Sequence, residues 1–195
     1  MARLAGGTRA RAVVAVALVL APVAWQLAWQ ANIFFRATPI AVSRAIYGRN
    51  PFPESVEIAR YIRARTNEHD RIVVLGSEPQ IYFYAGRPAA TGYVYMYPLM
   101  EAHPFAARMQ EQMIREIEAA RPSYLVYVSL QASWLMTPAS EPQLQRWVER
   151  YLGQFERVGI ADIASRSFTR YCWKEAGLDC IPASTVWVGV YRRRE

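Results

Sequence analysis

The chain has 195 residues, 53% of them hydrophobic, and a formal charge of +7. That composition excludes a disordered chain and gives enough apolar material for one packed domain plus an anchor. The charge is almost all arginine (Lys174 is the one lysine) and is interleaved with glutamate; only Arg192-Arg193-Arg194 forms a run. No nucleic-acid module accompanies it, so a solvated basic surface is expected rather than a nucleic-acid face. The same excess can attract the domain to anionic headgroups near a membrane.

In chain order, residues 12–29 read AVVAVALVLAPVAWQLAW, and no charge falls between Arg11 and Arg36. A helix of that length spans a hydrocarbon core at about 1.5 Å per residue. Pro22 is tolerated in such a helix, and Trp25 and Trp29 suit an interfacial belt. The rival reading is a cleavable signal peptide with Arg3, Arg9 and Arg11 as its basic region. Its apolar stretch is long, and Val19-Leu20-Ala21 is a poor cleavage site because Pro22 comes directly after it. Residues 1–35 are therefore read as an N-terminal tail and transmembrane helix, with a buried core helix as the remaining option. Either leading reading exports the rest of the chain. The short N-terminal tail and long C-terminal domain favour an N-inside orientation.

Residues 36–52 form a juxtamembrane segment, with an amphipathic helix over 38–48 closed by Gly48. Residues 53–195 make the extracytoplasmic domain. Pro53 and Glu54 open a helix running to Arg65, with Val56, Ala59 and Ile62 inward and Glu57 and Arg60 outward. RIVVLG (71–76) is a strand covered on both faces. A short helix over 78–85 ends at Gly86, and TGYVYMY (91–97) reads as a second strand. The helix over 103–120 turns Phe105, Met109, Met113, Ile117 and Ala120 inward. SYLVYVSL (123–130) is the third strand, and Ser140 caps a helix through Leu152. Segments 155–163, 167–173 and 185–192 are strands without long helices between them. The expected fold is α/β: a three-layer Rossmann-like domain with a mixed sheet and antiparallel C-terminal strands.

Gly76-Ser77-Glu78-Pro79 sits at the carboxyl end of the first strand, where open α/β sheets bind ligands. The favoured reading is a tight turn that starts the next helix, since such turns are common punctuation. It is no phosphate loop, since G-x-G-x-x-G and G-K-[ST] are both missing. Ser77, Glu78, Tyr82, Arg87 and Tyr93 are the candidate ligand-binding residues. The aromatic group Tyr82, Phe83, Tyr84, Tyr93, Tyr95 and Tyr97 can stack on sugar rings or pack beneath a sheet. His69 and His103 lack metal-ligand spacing, so no metal site is expected. No triad motif marks a catalytic residue, and no cofactor is implied. In an oxidising compartment Cys172 and Cys180 are read as a disulfide that stabilises the tail by about 2–3 kcal/mol; two free buried thiols are the alternative.

Asn50 to Ile62 (NPFPESVEIARYI), Asp70 to Arg87 (DRIVVLGSEPQIYFYAGR) and Tyr93 to Leu99 (YVYMYPL) together carry a resemblance. They resemble the C-terminal extracytoplasmic domain of bacterial GT-C-class membrane glycosyltransferases of family 39, the protein O-mannosyltransferase-like group. Val186 to Arg193 is similar to that group's closing strand. The resemblance implies a polyprenyl-phosphate sugar donor and a catalytic acidic residue in a first extracytoplasmic loop. This sequence has no counterpart of that loop and only the last membrane helix, so no catalytic residue carries over. The expectation is a membrane-anchored module of such an enzyme at the bacterial inner membrane, not catalytic alone. Its expected partners are membrane lipid and a multi-helix transferase subunit or a lipid-linked sugar, with no nucleic acid. The alternative is a membrane-tethered periplasmic interaction domain unrelated to sugar transfer. A weaker third reading is a self-contained enzyme using Glu78.

Overall fold

The computed structural model describes residues 2–174 and 181–194. The chain divides into two compact units, Met1–Ile46 and Tyr47–Glu195.

In the first unit, the apolar run folds as one helix, α1 (Ala2–Trp29), with Pro22 inside it. Arg9–Trp29 is long and apolar enough to cross a membrane, and none of that stretch is buried. Trp25 and Trp29, one helical turn apart, stack with ring centroids 6.2 Å apart. A π-turn over Asn32–Arg36 comes next, closed by the Ala37 N–H donating to Asn32 O at 2.7 Å. Thr38 caps α2 (Pro39–Tyr47) by accepting the Ala41 N–H on its Oγ1. Gly48, with φ of 63°, takes the left-handed conformation that a C-terminal glycine supplies without steric cost.

The second unit is built on a five-stranded mixed sheet in the order β1-β2-β5-β3-β4. β1 (Ile72–Leu75) and β2 (Tyr124–Ser129) pair in parallel. β5 (Trp187–Arg193) lies antiparallel between β2 and β3 (Phe155–Asp162), and β4 (Arg170–Trp173) is antiparallel to β3. The strands form where apolar and β-branched residues run continuously, because both faces are covered. Alternate side chains feed two apolar clusters. Ile72, Val74, Val126 and Val188 join Ile58 and Ile62 of α3 (Phe52–Arg63) and Ile81 of α4 (Gln80–Ala85). Val73, Leu75 and Leu125 join Leu99 of α5 (Tyr97–Met100), Met113 and Ile117 of α6 (Ala106–Ala120), and Leu144 of α8 (Gln143–Tyr151). Between β2 and α8 lies a single helical turn, α7 (Gln131–Trp134).

Four local expectations are corrected. Residues 91–97 form no strand. The chain pairs with β1 at the Ile72–Ala89 bridge, then turns away where the Glu116 carboxylate accepts the Thr91 hydroxyl (2.6 Å) and the Gly92 N–H (2.9 Å). The buried stripe of α6 is Ala106, Gln110, Met113 and Ile117, while Phe105 is 65% exposed. The buried face therefore holds a glutamine that a hydrophobicity pattern passes over. Val56 is exposed on α3, and Ser55 and Ile58 take the inner face instead. Ser140 does not cap α8. Its hydroxyl donates to Met100 O at 2.5 Å, and the helix begins only at Gln143.

Candidate functional site

The carboxyl end of β1 is fixed by a short polar relay. Gly76 has no side chain, and a Cβ there would meet the Glu78 carboxylate, Val128 Cγ2 at 2.7 Å and Ser133 Oγ at 2.8 Å. The backbone thus passes close against the β2–α7 connection. The Ser77 N–H donates to Ser133 Oγ (2.7 Å), the Ser77 hydroxyl donates to Ser133 O (2.6 Å), and Met96 N–H donates to Ser77 Oγ (3.1 Å). The Ser133 hydroxyl in turn donates to Glu78 Oε2 at 2.7 Å. Glu78 is 3% exposed. Burial pushes its carboxyl up to about 7, against the opposing hydrogen bonds from Ser133 and the Ser77 backbone. A carboxyl at that value suits proton transfer, but this one is enclosed, and its bond from Ser133 ties the end of β1 to the β2–α7 connection.

The other sequence candidates lie apart from this relay. The buried Tyr82 hydroxyl accepts the Val74 N–H at 2.7 Å, and burial holds its phenol well above the usual range. Arg87 donates to Thr66 Oγ1, Thr66 O and Arg63 O, clamping the end of α3 to the end of α4. The Tyr93 hydroxyl donates to Gln112 Oε1 at 3.1 Å. Cys172, buried on β4, is disulfide-bonded; Cys180 lies outside the described residues. His69 is exposed, and His103 Nε2 lies 2.6 Å from Pro98 O. Among the described residues no group of three or more His, Cys, Asp or Glu could hold a metal ion.

Beside the relay, at the carboxyl end of β2, is an open cavity of about 550 Å³ that no sequence motif marked. Tyr127, Trp134, Met136, Gln145, Glu149 and Thr185 line it. Its aromatic walls are Tyr127 of β2 and Trp134 of α7. Tyr127 packs between Trp134 (centroids 5.9 Å) and Trp187 (5.6 Å). The Trp134 indole N–H is satisfied by Val128 O at 2.8 Å, which fixes the ring. Gln145 and Glu149, four residues apart on α8, share one side of that helix. Burial first, then the Glu149 charge, raises the Tyr127 phenol. On the other side of the relay, Tyr95 is 42% exposed and meets Tyr97 edge-on at 4.4 Å. The end of the sheet therefore offers fixed aromatic faces, an amide and a carboxylate around an open hollow. That combination suits ring stacking and hydroxyl recognition.

Comparison with protein-family models, with curated proteins and with solved structures finds no match to this chain.

Proposed function

We propose that this chain is a membrane-anchored extracytoplasmic module that positions a sugar for a lipid-linked-sugar glycosyltransferase, without catalysing transfer alone. The observation that carries the reading is the aromatic-walled cavity at the carboxyl end of β2, with Gln145 and Glu149 on its rim. Sugar rings present apolar faces that stack on aromatic rings and hydroxyls that need acceptors and donors, and this hollow supplies both. The Rossmann-like three-layer reading of the domain agrees with a ligand at this end of the strands. α1 supports anchoring; the bacterial inner membrane, with the α/β domain on its outer face, is the place that the resemblance implies. Holding an acceptor or a lipid-linked donor against a multi-helix partner can contribute to rate by orientation alone.

The test uses the full chain in neutral nanodiscs. Titration with short hexose oligosaccharides should quench tryptophan fluorescence saturably. Glu149→Ala and Gln145→Ala should each weaken binding by about fivefold or more, as lost hydroxyl partners at a ligand site do. Supplied with polyprenyl-phosphate sugars and acceptors, the chain should give no transfer. Absence of saturable sugar binding would leave an interaction domain unrelated to sugar. Turnover by the isolated chain, abolished at a single acidic residue, would make it an enzyme in its own right.

A further inference from the structure

The tail arginines do not form a loose charged run. Arg192 and Arg193 end β5, and the Arg194 N–H donates to Gln154 O at 3.0 Å. With Arg65, Arg121 and Ser123 they line a cavity of about 680 Å³ near the start of β2. This is the opposite end of that strand from the aromatic hollow. Five arginines from three separate stretches of chain line the cavity, and among the described residues no carboxylate joins them. Arginine stays charged at any physiological pH, so the group is mutually repulsive unless an anion is present.

The arrangement is held in place rather than draped. Arg193 donates to Pro122 O (3.0 Å), Gln154 Oε1 (2.9 Å) and the Tyr151 hydroxyl (2.7 Å), and lies over the Phe155 ring. Arg65 lies over the Tyr61 ring at 3.9 Å. Among the described residues, the Arg194 guanidinium donates only through its Nε, to Phe155 O at 3.1 Å. Arg121 ends α6 in the left-handed conformation, with φ of 46°, and its side chain makes no hydrogen bond or ion pair among the described residues. Glu156, in the adjoining hollow, pairs with Lys174 and, at 3.4 Å, with Arg192. Arg121 and Arg194 therefore line the cavity with terminal guanidinium N–H groups that have no partner among the described residues.

We propose that this arginine-lined cavity binds a phosphate or pyrophosphate ester, with Arg121 and Arg194 as its principal donors. Planar guanidinium forks match phosphate oxygens two at a time, and a concave site favours a compact dianion over an extended polyanion. The site stands independently of the sugar-positioning reading, since it shares no residue with the aromatic hollow. The phosphate can come from a soluble ester or from a lipid headgroup.

Isothermal titration of the full chain in phosphatidylcholine nanodiscs with inorganic pyrophosphate tests it. Saturable binding that weakens as salt rises is expected. Arg121→Gln and Arg194→Gln together should weaken it by about tenfold or more, and each alone by less. If the double variant does not fold, the single variants decide. Arg115→Gln, on the outer face of α6 and paired with Glu111, should leave it unchanged. Repeating the titration in phosphatidylglycerol-rich discs separates the sources. Weaker apparent binding assigns the site to lipid phosphate, and unchanged binding assigns it to a soluble ester. No binding in neutral discs, or binding that survives the arginine substitutions, overturns the proposal.

Discussion

Glu78 and Asp162 are both buried carboxylates, and their surroundings drive them in opposite directions. Burial also opposes ionisation of Asp162, but the Ser184 hydroxyl and the Ala183 and Ser184 N–H groups, with Arg170, outweigh it and hold its carboxyl below the usual range. Its contribution is present above that usual range and is lost as pH falls through the lowered value. Glu78 is raised from 4.5 to about 7, so the folded chain holds a proton that the unfolded chain has released between those values. Its contribution to stability should be greatest below 4.5 and decline as pH rises toward 7. Glu78→Gln keeps an acceptor for Ser133 and removes the ionisation. It should stabilise the fold by on the order of 2–3 kcal/mol at about pH 8 and by nearly nothing at about pH 4. Urea unfolding at both pH values reads the difference; an effect independent of pH would contradict the burial argument.

At the scale of elements, one side chain joins three of them. Gln110 is fully buried on α6 and donates to Leu99 O and Glu141 O, while its Oε1 accepts the Leu144 N–H in the first turn of α8. Gln110→Ala should cost on the order of 2–4 kcal/mol, because it orphans buried backbone groups as well as losing its own bonds. Arg108→Ala, on the exposed side of the same helix, should stay within about 0.5 kcal/mol. Thermal melts of the two variants check the contrast. This glutamine also marks what periodicity could not disclose. IVVL and YLVYVS were legible as strands because continuous apolar runs need cover on both faces. The phase of α6 was not, because its buried stripe includes a polar residue whose partners lie 11 to 34 residues away. Tyr93, Tyr95 and Tyr97 have strand propensity, but Glu116 captures the preceding turn and draws that segment off the sheet edge. The turn at Ser77 and Glu78 was readable as a strand end. Ser133 reaches Ser77 and Glu78 because β1 and β2 are parallel neighbours, and the hollow gathers residues of β2, α7 and α8; no local pattern encodes those juxtapositions.

At the scale of the whole molecule, α1 is long and apolar enough to cross a membrane, and fractionation tests whether it does. Full-length protein should remain with membranes through alkaline carbonate and high-salt washing, since a long apolar helix with no buried residue has no other cover. Recovery of a shortened form in the soluble fraction would identify α1 as a cleaved signal instead. In the α/β unit, β5 is the last strand in the sequence, yet it lies inside the sheet, between β2 and β3. During synthesis the β1–β2 pair and the β3–β4 hairpin must wait for it, each with a raw edge open to wrong partners. The two halves of the sheet share no other strand, so a nascent chain halted before Trp187 cannot join them. The sheet of this domain is therefore joined only when Trp187–Arg193 is available to bridge β2 and β3.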